Sequence, residues 1–298
     1  MAKQLTLPDG RNLDYSITGA REGFPLIWCH GTPSGYIPIP ALARSCEKKG
    51  LKLVTFSRSG YGGSSRRKGR NIVDDVDDVR ALSKHLGHDK FVVGGWSGGG
   101  PHSLACAAKL EGCVASIVIA GVAPYNVEGL DWLAGQGQDN IDEYAASMKG
   151  EYALREYCDA QRPGLISSTA AGIIEQLSAI LPEVDKRALR ESAELGSYME
   201  QTMREGLKSS CDGWIDDDFA FLAPWGFDVA DIKVPVFLYQ GSEDLMVPFA
   251  HGQWLGSHIN QKYLTNHLEQ GEGHISIFLG RVDTMLDEIK AVIDDKAQ

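Results

Sequence analysis

The sequence predicts an α/β protein: a mostly parallel sheet with helices on both faces, interrupted by a helical insertion. Three observations carry this. Up to about residue 124, short apolar, β-branched runs alternate with segments of helical periodicity, the rhythm of parallel strands crossed over by helices. From about 124 to 228 the rhythm stops and the pattern is helical and amphipathic, with no convincing core strand. From 229 to 298 the alternation resumes. The expected organisation is therefore a discontinuous core, 1–124 plus 229–298, and a helical cap, 125–228. A chain of 298 residues is long enough to bury a core of that kind.

In order, Leu26–Cys29 and Leu51–Phe56 read as strands. Asn71 is an expected N-cap for a helix whose apolar positions are Ile72, Val73, Val76, Val79, Leu82 and Leu86, closed by Gly87. Phe91–Val93 is a short buried strand, followed by a helix from about Gly99 to Leu110 and an apolar run from Val114 to Ala120. Within the cap, Glu143–Cys158 and Ile173–Glu205 read as helices. Val234–Tyr239 is a strand, Phe249–His258 a helix and Lys262–Leu268 the last strand. A final helix carries Phe278, Val282, Met285, Leu286, Ile289, Val292 and Ile293 on one face.

Composition narrows the function classes. The net charge of −11 repels polyanions, so nucleic acid is not an expected partner. The acidic runs Asp74–Asp78 and Asp216–Asp218 are expected to be solvated faces or caps. No stretch approaches the 18 apolar residues of a membrane span, and MAKQLTLPDGRNLDY lacks the apolar region of a secretory signal. A soluble cytoplasmic protein is expected. The six cysteines form no C-x-x-C, and no His/Cys group has zinc spacing. Cys29 and Cys106, within apolar segments, are expected to be small core residues.

The chemistry is carried by four local patterns. Gly95-Trp96-Ser97-Gly98-Gly99 matches G-x-S-x-G between a predicted strand and a small-residue helix, the strand–turn–helix setting of a nucleophile elbow. The strand ending at Cys29 leads into His30-Gly31-Thr32-Pro33. Acyl transfer needs two backbone N–H donors for the oxyanion; Gly98 and Thr32 are the candidates, since Pro33 has no N–H. His30 is expected to support this loop. After the strand 234–239 comes Gly241-Ser-Glu-Asp244, placing Asp244 as the acid, with Glu243 as runner-up. Gly271-Glu-Gly-His274 places a histidine between turn glycines and the last helix, as the base. The order Ser97, Asp244, His274 is that of elbow-type hydrolases. Trp96, Met246 and Trp132 are expected to line an apolar substrate pocket. No metal or organic cofactor is expected.

These motifs resemble those of the α/β-hydrolase superfamily over nearly the whole chain: HGTP at 30–33, SRSGYGGS at 57–64, GWSGGG at 95–100, GSEDLMVP at 241–248 and GEGH at 271–274. Relatives often have Asp where Ser57 stands, a departure expected to affect loop support. GVAPYNVEGLDWL and DDDFAFLAPWGFDV resemble a capped subgroup that includes proline-iminopeptidase-like enzymes, broad esterases and macrolide esterases. The resemblance implies the α/β-hydrolase fold and a serine esterase working through an acyl-enzyme. A macrolide esterase that inactivates an antibiotic is one such function, and the acidic cap suits a large cationic amino-sugar lactone. Three alternatives stay open: a proline-iminopeptidase-like amide hydrolase, a broad carboxylesterase, and a non-catalytic small-ligand receptor. A lyase or cofactor-free oxidase on the same fold is a further one. Epoxide hydrolases and dehalogenases carry Asp where Ser97 stands and are disfavoured.

Overall fold

The computed structural model describes residues 2–297. Eight strands form one sheet: β1 (Lys3–Thr6), β2 (Asn12–Gly19), β3 (Phe24–Cys29), β4 (Leu51–Phe56), β5 (Phe91–Trp96), β6 (Cys113–Ile119), β7 (Val236–Gly241) and β8 (Leu264–Glu269). Their order is β1-β2-β4-β3-β5-β6-β7-β8. The β1–β2 and β2–β4 pairs are antiparallel, and β3 to β8 pair in parallel. This is the α/β-hydrolase sheet. The first two strands were not anticipated, because Asp14 and Ser16 break the apolar pattern of β2. Both are buried, and Asp14 is satisfied by the Gly63 N–H at 2.8 Å and by Gln4 Nε2 at 2.9 Å.

Side chains alternate across the sheet. Leu26 and Trp28 face one side, where α1 (Pro40–Lys48) and α11 (Val282–Ala297) cover them. Ile27 and Cys29 face the other, against α2 (Asp75–His85), α3 (Gly99–Lys109) and α10 (Phe249–His258). Cys29 and Cys106 are core residues, and burial pushes the Cys29 thiol up to about 12.

Between β6 and β7 the chain forms α4 (Gln138–Lys149), α5 (Glu151–Ser167), α6 (Gly172–Gln176), α7 (Glu183–Glu191), α8 (Ala193–Gly206) and α9 (Asp212–Leu222). The two long helices expected in this interval are each divided. Gly150, at φ +107°, separates α4 from α5 in a conformation only glycine adopts readily. Pro182 is the N-cap of α7, where its missing N–H costs no helical hydrogen bond, and it separates α6 from α7. The last helix begins at Val282, so Phe278 lies in the turn before it. Among the described residues no helix is long and apolar enough to cross a membrane.

Asp74 is the cap residue expected of the first acidic run, its Oδ2 accepting from Asn71 N–H at 2.7 Å, but most of the two runs is not solvated. Asp216, Asp217 and Asp218 are buried, as are Asp75 and Asp78, whereas Asp77 is exposed. Helix α9 is a part of the cap that meets the core, and arginines from distant segments reach its carboxylates and that of Asp78. Arg66 clamps Asp216 with two hydrogen bonds of 2.8 Å, and Arg11 clamps Asp78 at 2.6 and 3.0 Å.

Candidate active site

Ser97 sits between β5 and α3 with φ +57°, a left-handed conformation rare for a residue with a Cβ. The turn is held by Ser97 N–H donating to the Ile119 carbonyl at 2.8 Å. Its flanking glycines are steric requirements: a Cβ on Gly95 would overlap the Gly99 carbonyl, and one on Gly98 would overlap the Thr32 hydroxyl. The strain raises Ser97 to the tip of the turn, in front of the N–H groups of the first turn of α3. Those groups have no partner within the helix and favour negative charge.

The loop after β3 runs against the nucleophile: a Cβ on Gly31 would lie 3.4 Å from the Ser97 Cβ. Its position is set by a buried ionic cluster. Thr32 Oγ1 donates to Asp217 Oδ2 at 2.5 Å and accepts from Arg58 Nη2 at 2.9 Å. Asp217 also receives Arg58 Nη2 at 2.5 Å, the Tyr61 hydroxyl at 2.7 Å and Arg70 Nη2. Arg70 continues to Asp75, which lies 3.0 Å from His102 Nδ1. Burial alone would raise the Asp217 pKa; the charges of Arg58 and Arg70 outweigh it and hold the carboxyl well below the usual range. The buried His30 is supporting, as expected: Nδ1 contacts the Gly31 carbonyl at 2.6 Å and Nε2 accepts from Arg58 N–H at 3.0 Å. Burial, with the Arg58 charge beside it, keeps its pKa well below 6.5. Ser57 Oγ accepts from Tyr36 N–H at 3.0 Å, so the Ser57 departure does place a loop contact.

His274 Nδ1 lies 2.8 Å from Asp244 Oδ2. Asp244 is fixed by Met246 N–H and Val247 N–H, each 2.8 Å from Oδ1, and by Gln240 Nε2 at 3.0 Å from Oδ2. A carboxylate oxygen only accepts, so Nδ1 carries the proton and Nε2 is left as the base. Burial lowers the His274 pKa, but the Asp244 charge, its hydrogen bond and the Asp185 charge outweigh it. The net pKa lies above 6.5. Glu243, the alternative acid, is exposed, with Ser242 Oγ 3.2 Å from its carboxylate. Trp96 donates to the His274 carbonyl at 3.1 Å and stacks on the imidazole with centroids 5.8 Å apart.

A cavity of about 160 Å³ opens between core and cap, lined by Ser97, Gly98, Thr32, His274, Trp96 and Met246 among others. Trp132 is not among its walls. The indole N–H needs an acceptor when buried, and it finds the Ala123 carbonyl at 2.7 Å. The ring packs edge-on against Tyr144 and His251, with centroids 4.5 and 5.3 Å away. Its expected place in the pocket is therefore taken by Tyr144, which does line the cavity.

The cap wall carries two carboxyls that sequence reasoning did not select, the half-buried Glu143 on α4 and the buried Asp218 on α9. Neither Asp218 oxygen has an N–H or hydroxyl donor among the described residues. The group it faces is Glu143, whose Oε1 accepts from Trp214 Nε1 at 2.6 Å. Burial pushes both pKa values up, Asp218 furthest. Like carboxyls held face to face disfavour each other's charge, and the indole hydrogen bond stabilises the charged form of Glu143 relative to Asp218. Nothing in the sequence joins positions so far apart.

The family model described as alpha/beta hydrolase fold matches residues 25–280. The chain is 24% identical over 255 residues to the AB hydrolase superfamily protein YisY of Bacillus subtilis, covering 85% of this chain and 86% of that one. It is 26% identical over 246 residues to a proline iminopeptidase of Clostridium botulinum, covering 78% and 79%. Among solved structures, a thermophilic esterase from Thermogutta terrifontis superposes with a TM-score of 0.69 at 18% identity, covering 98% and 99%. With the strand order, the elbow and this match agreeing, the chain belongs to the α/β-hydrolase family.

Proposed function

We propose that this chain is a serine-dependent ester hydrolase working through an acyl-enzyme, with amine-bearing macrocyclic lactones of the macrolide type as substrate. The carrying observation is the buried Asp244–His274 pair, 2.8 Å apart, opening with Ser97 onto one cavity. In this reading His274 Nε2 takes the hydroxyl proton as Ser97 Oγ attacks the ester carbonyl. The oxyanion rests on the N–H groups of Thr32 and Gly98. Collapse breaks the ester C–O bond and the alkoxide leaves with the proton from His274. Water, deprotonated by the same imidazole, then releases the acid and restores Ser97. In a lactone the leaving alcohol is the ring's own, so the product is the opened chain, one water heavier; for a macrolide this is inactivation of the antibiotic.

The choice of an amine-bearing substrate is supported by the two carboxyls, Glu143 and Asp218, on the cavity wall; in this reading the pair carries one negative charge when the amine binds. The same charge suits the free amine of an N-terminal prolyl residue, and the likeness to proline iminopeptidases keeps an amide hydrolase as the second reading. A cytoplasmic location is proposed with it.

The test is a mass-spectrometric screen of wild type and Ser97→Ala against macrolide lactones, aryl esters and proline arylamides. Addition of one water to a macrolide by wild type alone supports the lactone reading. Cleavage confined to prolyl amides, or to small esters, replaces it with the corresponding hydrolase. Tight binding of a lactone without turnover by wild type points to a receptor and refutes the catalytic reading.

A further inference from the structure

The last of the four motifs, GEGH, holds the base, and its backbone is held in turn by the cap. Residues 274–281 form a run of turns entering α11, with Phe278 N–H donating to Ile275 and Leu279 N–H to Ser276, both at 3.1 Å. The N–H groups opening such a run have no partner within it and need an outside acceptor. Here the acceptor comes from the cap. Asp185, on cap helix α7 and fully buried, places Oδ2 2.8 Å from the His274 N–H and Oδ1 3.0 and 2.8 Å from the N–H groups of Ile275 and Ser276. Three consecutive donors converge on one carboxylate.

Gly273 directly precedes the histidine. Its φ is not in the left-handed region, so its backbone does not demand glycine. The demand is steric: a Cβ there would run into the Asp185 carboxylate. The glycine before the histidine therefore makes room for a cap residue. Gly273 N–H is itself held by Ser276 Oγ at 2.8 Å, which keeps the turn closed around the carboxylate.

We infer that Asp185 is a positioning residue that makes the docked cap a condition for a correctly placed His274. The carboxylate fixes the backbone from which the imidazole projects, as Asp244 fixes the imidazole itself. A cap lifted from the core withdraws Asp185, leaves three N–H groups without their acceptor, and frees the histidine turn. The cap then does more than wall the cavity: docking of α7 on the histidine turn completes the catalytic geometry. The inference rests on the serine-hydrolase reading for its kinetic consequence, but not for its structural one.

The experiment joins a titration to kinetics. The imidazole pKa of His274 is followed by NMR in wild type and Asp185→Asn, which needs no substrate and so stands whether or not hydrolysis does. The charged groups facing His274 are Asp244, from the turn after β7, and Asp185, from α7. Removing the Asp185 charge is expected to lower the His274 pKa, so the acid limb of activity moves to lower pH. With whichever ester wild type cleaves, kcat is expected to fall about tenfold to a hundredfold at nearly unchanged KM, the cost of a misplaced catalytic group. A folded Asp185→Asn protein with the wild-type His274 pKa and kcat overturns the inference. Should that variant fail to fold, Gly273→Ala decides, because the added methyl displaces the carboxylate without removing it. A loss of kcat of the same size supports the inference, and wild-type kcat overturns it.

Discussion

Replacing Asp217 by Asn changes almost no volume but removes the negative charge that Arg58 and Arg70 surround. Asp217 and both arginine side chains have no exposed surface. The carboxylate takes Thr32 Oγ1 and Arg58 Nη2 at 2.5 Å, the Tyr61 hydroxyl at 2.7 Å, Arg58 Nε at 3.3 Å, and Arg70 Nη2. The amide keeps one oxygen and turns an NH₂ toward donors at the other position. The hydroxyls can rotate to accept from it; a guanidinium cannot. Breaking one side of a buried ion pair costs about 3–5 kcal/mol, a large part of the roughly 5–15 kcal/mol that holds a domain folded. The assay is urea unfolding followed by tryptophan fluorescence, with the exposed Glu194→Gln as the control, expected to leave the midpoint unchanged. The pH dependence has a definite sign. The folded pKa of Asp217 is depressed, so its contribution is complete above the unfolded value of 3.8 and is lost as pH falls below it toward the folded pKa. Thr32 exchanges a charged acceptor for an amide in the same variant, and the arginine beside it is left unbalanced, so kcat should fall as well. A loss of stability under about 1 kcal/mol, with the slope against urea unchanged, would refute the view that this cluster is a strained balance of buried charges.

The other expectations are kinetic. Ser97→Ala should lower kcat by about four to six orders of magnitude while keeping the wild-type unfolding midpoint, as read from progress curves and denaturation. Asp244→Asn should lose about 10,000-fold by presenting the wrong imidazole tautomer, whereas Glu243→Gln, at an exposed position, should be near wild type. Activity of wild type should decline as pH falls through the folded pKa of His274, which lies above 6.5, and a kcat/KM profile flat down to pH 5 would contradict that. Glu143→Gln removes the single charge of the carboxyl pair, so KM should rise for amine-bearing esters and stay constant for neutral ones. Asp218→Asn replaces the shared proton by an amide N–H and should leave both KM values near wild type; a selective rise there would place the charge on Asp218 instead.

Much of the core was legible because its signals are local. The helix Phe249–His258 has the same bounds in the structure as in the sequence reading, since Pro248 marks its start. The elbow was legible because strand, strained serine and small-residue helix are adjacent in the chain. The cap was legible as helical but not in its divisions, because Gly150 and Pro182 act as single residues inside otherwise helical pattern. Trp132 shows the same limit from another side. An aromatic residue near a pocket sequence is equally a core residue, and the acceptor that decided the matter, the Ala123 carbonyl, is set by folding.

By itself, the sequence determined the alternation that makes a parallel sheet, the interval given to helices, and the local motifs that make Ser97, Asp244 and His274 the candidates. Each of these depends on neighbours within a few residues, where backbone geometry translates pattern directly into structure. Only the tertiary structure decided which charges leave water. Asp217 meets Arg58 across 159 positions and Arg70 across 147, and Asp185 meets the His274 turn across 89 to 91. A carboxylate reads as solvent-facing until a partner is known, because burial of an ion is tolerable only with its counter-charges and donors in place, and those arrive from parts of the chain that no local pattern connects.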